Sequence, residues 1–195
     1  FIALLNRSDC PNALADTFID QAITRIQRQL RVPAMEAQQT YDATSSTGLT
    51  EIAIPSNLLE AIDLYYDGDA LVRVPLHEML QYQKTGELAS PRYFCREQNN
   101  LRIYPMPTTG SLYLNYYKIQ DALTSDTDTN LFTTDASDLL TYTALSYASD
   151  YFLDERGALF EQKSGSFLAE IQEQANSSEQ SGVNQVMRPT HFYTD

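Results

Sequence analysis

The stretch Asp9–Val32, DCPNALADTFIDQAITRIQRQLRV, decides the first element. Leu14, Phe18, Ala22, Ile26 and Leu30 recur every fourth residue with Ile19 and Ile23 beside them, the spacing of one apolar helical face. An amphipathic helix over 9–32 is expected, with Ser8 or Asp9 as its cap. Pro11 suits the first turn, and Pro33 ends the pattern. The polar face carries Arg25, Arg28 and Arg31 near the C-terminal end, where cations complement the helix dipole. Solvation is the plain reading of these three, and a contact with another subunit or a partner is the functional one.

Beyond Pro33 the period changes. Residues 35–120 hold short alternating segments rich in Tyr, Ile, Leu and Val, broken by Gly, Pro, Asn and Asp, as expected of antiparallel strands and turns. Ile52 and Ile54 alternate before Pro55. Ile62, Leu64 and Tyr66 alternate before Asp67-Gly68-Asp69, which is expected to close a hairpin onto Leu71–Val74. Further strands are expected at 92–97, at 101–104 after an Asn99-Asn100 turn, and at 111–119, with a short helix over 75–84.

Asp121–Thr134 reads as a polar loop. Helical spacing then returns over 134–154, with Thr133 or Thr134 as cap and Leu140, Ala144, Tyr147 and Tyr151 in one stripe, and again over 156–175. From Asn176 the composition is that of a linker, followed by a tail whose Val183, Val186, Met187, Phe192 and Tyr193 are more apolar than an idle tail needs. The expected fold is therefore α+β: a helical bundle of about three long helices with an inserted antiparallel β region of hairpins, plus an extended C-terminal tail. As domains, 1–175 forms a core and 176–195 a linker and docking tail.

Composition narrows the function. The 195 residues carry a formal net charge of −13, which repels phosphate and argues against specific DNA binding. No apolar run approaches the roughly 20 residues that span a bilayer, so a soluble protein without membrane contact is expected. The sequence opens on Phe1 rather than Met, so a short preceding piece is expected, and nothing in it resembles a signal peptide. Cys10 and Cys95 lack metal-ligand or scaffold spacing and are expected to be reduced thiols. His77-Glu78 begins an HExxH pattern that fails at Gln81. Asp126, Asp128 and Asn130 match the opening ligands of a calcium loop that fails at Leu131 and Ser137. With two histidines and no phosphate-cradling glycine motif, no catalytic site, metal or cofactor is expected.

Several phrases in order carry a resemblance. Thr24–Val32 ends the first helix in an Arg-rich run, and Ile52-Ala53-Ile54-Pro55, Leu64–Asp69 and Ser90-Pro91-Arg92-Tyr93-Phe94 follow. Leu101–Pro107, Leu112–Lys118, the acidic loop and the helix from Asp135 to Glu155 complete the set. Together they resemble the tailed-bacteriophage head-to-tail adaptor family, across roughly the first 170 positions.

The resemblance implies a structural virion protein and not an enzyme. Its place is the neck between capsid portal and tail, after synthesis in the host cytoplasm. Implied partners are the portal protein, tail or nozzle proteins, and further copies in a ring of about twelve, with genomic DNA passing through the lumen without specific binding. Arg25, Arg28, Arg31 and the tail residues Val183, Val186, Met187, Phe192 and Tyr193 are the expected portal or subunit contacts. Rival readings are a tail-completion or neck protein further from the capsid and, in another class, a small acidic enzyme or regulatory binding domain.

Overall fold

A computed structural model describes residues 1–125 and 127–180. Six helices occur among them: α1 (Ile2–Leu5), α2 (Asn12–Gln29), α3 (Leu76–Tyr82), α4 (Leu131–Thr134), α5 (Ser137–Phe152) and α6 (Gly157–Gln180). Eight strands lie between α2 and α4: β1 (Glu36–Asp42), β2 (Glu51–Ala53), β3 (Leu58–Tyr66), β4 (Asp69–Ala70), β5 (Val72–Arg73), β6 (Tyr93–Glu97), β7 (Asn100–Tyr104) and β8 (Ser111–Lys118). The chain divides into two compact units. One takes Phe1–Val32 and the described residues from Phe132 onward; the other is Pro33–Leu131, inserted between those two segments.

In the helical unit, α5 packs against both α2 and α6. The stripe expected in α2 is the one that is buried, through Ala15, Phe18, Ala22, Ile23 and Ile26, and burial continues past the helix at Leu30 and Val32. Around α5, burial extends over Leu139, Leu140, Thr143, Ala144, Leu145, Ala148 and Ser149, because a helix between two others needs apolar or small residues on most sides. Its buried hydroxyls are satisfied locally: Thr143 Oγ1 donates to Leu139 O, and Ser149 Oγ to Leu145 O, each at 2.7 Å. Phe18 meets Phe152 and Tyr151 edge-on, with ring centroids 6.4 and 5.7 Å away.

Both expected caps are corrected. Pro11, which has no side-chain donor or acceptor, precedes α2, while Asp9 is held by Arg7. Ala136 precedes α5, because Thr133 and Thr134 belong to the short helix α4, formed inside the expected polar loop. The described part of the expected linker is helical, since α6 continues through Asn176, Ser177 and Ser178 to Gln180. The tail, Gly182 to Asp195, lies outside the described residues.

The inserted unit holds two four-stranded sheets, ordered β1-β8-β3-β4 and β2-β7-β6-β5. Alternation sends Leu112, Leu114 and Tyr116 of β8, Leu64 of β3, Ile52 of β2, Phe94 of β6, and Leu101 and Ile103 of β7 into one shared core. The opposite face of the second sheet is covered by α3, whose Met79 packs with Cys95 and Tyr104 while Tyr82 stacks on Tyr93 at 5.0 Å.

The expected hairpin onto Leu71–Val74 is corrected. The hairpin forms, but only Asp69–Ala70 and the Leu71 N–H, which donates to Leu64 O at 2.8 Å, return against β3, after which Val72–Arg73 cross to the second sheet and run parallel to β6. Among the described residues the named strands are therefore antiparallel except at this short pair, and the isolated bridge of Leu88 to Met106 is parallel as well.

Candidate interaction surfaces

The three arginines of α2 do three different things. Arg25 Nη1 donates to Glu161 Oε2 of α6 at 2.8 Å, its Nη2 pairs with Glu161 Oε1, and Ser146 Oγ of α5 donates to Glu161 Oε2 at 2.7 Å. Arg31 turns back, its Nη1 donating to Gln27 O and Leu30 O at the open end of α2, while Gln172 of α6 bonds its backbone N–H and C=O. Arg28 alone stays exposed, in a shallow groove with Asp20, Thr24 and Tyr147. Among the described residues the expected cationic cluster is thus one buttress, one cap and one exposed cation. The other expected contacts, Val183, Val186, Met187, Phe192 and Tyr193, lie outside the described residues.

Arg25 and Ser146, both donating to one carboxylate, hold Glu161 down to about 2 from the usual carboxylate range. A depressed pKa adds stability that is complete above about 4.5 and is lost as pH falls toward 2. Because 47% of the Glu161 side chain meets water, screening reduces the contribution to about 1 kcal/mol. Denaturant titration of Glu161→Gln against the parent is expected to show this gap at pH 7 and its closure below about pH 3. A gap that does not change with pH would show that the carboxylate charge is not its source.

Between α5 and α6 the chain turns through Leu153-Asp154-Glu155-Arg156. Leu153 ends α5 in the left-handed conformation at φ 54°, with its side chain in open solvent. Asp154 Oδ1 accepts the Arg156 N–H at 2.9 Å, and the Arg156 guanidinium grips the same carboxylate while donating to Leu5 O at 3.0 Å. This holds the Asp154 carboxyl down to about 2, so the clamp stays charged through the physiological range.

In the inserted unit, a cavity of about 160 Å³ opens between the sheets, lined by Leu58, Ala61, Phe94 and Leu101 together with Arg73, Arg96 and Glu60. Nothing in the spacing of the sequence marked it, since Arg73 and Arg96 meet only through the β5–β6 pair.

The motifs set aside on sequence grounds have local roles here. His77 is exposed on α3 beside Glu78. Asp128 accepts the backbone N–H groups of Thr124 and Ser125, and Asn130 Nδ2 donates to Asp121 O, so both side chains brace their own loop. Among the described residues no group of His, Cys, Asp or Glu is placed to hold a metal ion, and no helix is long and apolar enough to cross a membrane. Both cysteines are free and buried.

Among the described residues these surfaces offer a clamped corner, an exposed cation and an Arg-edged cavity. The sequence pattern of a known family covers residues 1–189 and places the chain among phage head-to-tail adaptors, which are structural proteins. It belongs to the family described as SU10 adaptor protein. No curated protein matches the chain.

Proposed function

We propose that the protein forms a ring beneath the portal of a tailed phage, joins capsid to tail in the virion neck, and continues the channel through which DNA passes. The observation that carries this reading is the family match over residues 1–189, nearly the whole chain. Three long helices, α2, α5 and α6, serve as the bundle of each subunit, and the β unit is inserted in the chain between α2 and α5. A ring of about twelve copies follows from the resemblance to adaptors that match a twelvefold portal. Heterologous contacts that close make such rings. A net charge of −13 supports the lumen role, because an acidic wall lets the duplex slide without gripping it. Chemistry plays no part in this reading.

Portal docking is assigned to the segment from Gly182 to Asp195, whose Val183, Val186, Met187, Phe192 and Tyr193 supply apolar anchors, with Arg28 as an accessory contact. Mixing the purified protein with its portal and imaging the product is expected to show portal-bound rings; no ring under assembly conditions would refute the reading. Deleting 182–195 is expected to leave the circular dichroism spectrum and melting unchanged while weakening portal docking at least about tenfold, since apolar anchors dominate such contacts. Undiminished docking of the deletion would remove the tail from this role.

A further inference from the structure

We infer that the corner Leu153–Glu155 of one copy docks into the Arg73/Arg96 cavity of the next, making the heterologous contact that closes the ring. The inference rests on the ring reading and names its contact surfaces.

Leu153 is 90% exposed at φ 54°, a conformation that glycine adopts freely and leucine does not. Strain and full exposure of an apolar side chain are two costs at one residue, and the inference runs from that outlier to a use. The clamp of Asp154 by Arg156 explains how the corner is held, and it leaves Leu153 and the exposed Glu155 as the side chains presented outward. A knob with an apolar tip and an adjacent carboxylate results, and because it is prearranged, little order is lost when it binds.

The cavity has the complementary chemistry. Arg73 pairs in register with Phe94, and Arg96 lies two residues further along β6, so the two arginines occupy diagonal places on one sheet face, a spacing on the order of 7–8 Å. Both are exposed, and neither has a carboxylate partner among the described residues; Arg96 Nε donates to Gln98 O at 3.3 Å. Neighbouring like charges repel unless an anion sits between them. The cavity floor is apolar, and at about 160 Å³ it has room for a leucine side chain, since a cavity on the order of 150 Å³ holds a benzene-sized group. Glu60 shares the lining, so two arginines against one carboxylate leave the cavity a positive excess, and in a chain of net charge −13 that excess beside apolar residues fits an acidic, apolar-tipped partner, which every copy carries. Knob and hole are different surfaces of the same chain, as a heterologous contact requires.

The test is portal-templated assembly of full-length protein, scored as ring yield by electron microscopy. Leu153→Ser, Glu155→Arg and the pair Arg73→Glu/Arg96→Glu change exposed side chains, and circular dichroism checks each fold. Ring yield is expected to fall about tenfold for each, and the combined variant E155R/R73E/R96E, with the charges exchanged across every contact, is expected to recover to within about threefold of the parent. Parent rings together with undiminished yields for the charge reversals would overturn this contact and leave the ring reading standing. Loss in the reversals without recovery in the combined variant would also overturn the pairing. If the parent itself formed no rings, the ring reading would fall and this contact with it.

Discussion

Leu114→Ala is expected to lower the stability of the β unit by about 3 kcal/mol, because a fully buried leucine is cut back in a core that has nowhere to collapse. β8 is an inner strand of its sheet, with β1 on one side and β3 on the other, and Leu114 stands opposite Gln39 and Leu64 at once. Its side chain packs in the cluster that includes Leu64, Phe94, Leu101 and Ile103, drawn from both sheets. The change therefore leaves a void bounded by paired backbone. Thr40→Ala on β1, an exposed position with no side-chain role, is expected to stay within about 0.5 kcal/mol. Urea titration followed by far-ultraviolet circular dichroism compares the two. Equal midpoints would contradict the placement of Leu114 in the core.

Much of this architecture was legible because its elements carry their own period. α2 announces itself through Ala22 and Ile26 at helical spacing, and β6, β7 and β8 fall close to the expected positions because inward and outward residues alternate. β1 was not legible. Glu36–Asp42 is almost wholly polar, with only Ala37 and Tyr41 half-buried, and it is a strand because β8 offers seven paired positions. Tertiary pairing overrides local composition there. At the end of α6, Asn176–Ser178 read as linker yet are helical, with side-chain bonds made inside the helix itself. Gln172 Nε2 donates to Asn176 Oδ1, and Ser178 Oγ back-bonds to Ala175 O.

The candidate surfaces were harder to foresee for a different reason. Spacing placed Arg25, Arg28 and Arg31 together on α2, but spacing does not say that Glu161 and Gln172, more than a hundred residues later, take the first and third. The Leu153 corner hides better still. A left-handed helix end is usually marked by glycine, and here the nearest glycine, Gly157, belongs to the start of α6. The crossing of Val72–Arg73 into the second sheet, which brings Arg73 beside Arg96, has no local signal at all, because it depends on where β6 lies.

Gly110→Ala is expected to cost about 3 kcal/mol, and the reason separates strain from collision. Gly110 precedes β8 at φ +90°, where any side chain is strained, and an added Cβ would lie 2.5 Å from Asp67 Oδ2 and 2.7 Å from the Tyr66 hydroxyl. Those two groups have work in place. Tyr66 OH donates to Thr109 O at 2.9 Å, and Asp67 Oδ1 accepts the Ser111 N–H at 3.0 Å, tying the tip of the β3–β4 hairpin to the start of β8. Moving either group breaks a bond and opens that end of the sheet. Gly68, in the same tip at φ +101°, has open space where its Cβ would go, so Gly68→Ala carries strain alone, about 1 kcal/mol. The difference between the two variants in one denaturation series measures the collision. Equal losses would mean that Tyr66 and Asp67 yield freely, and that the hairpin tip is not anchored to β8 through these bonds.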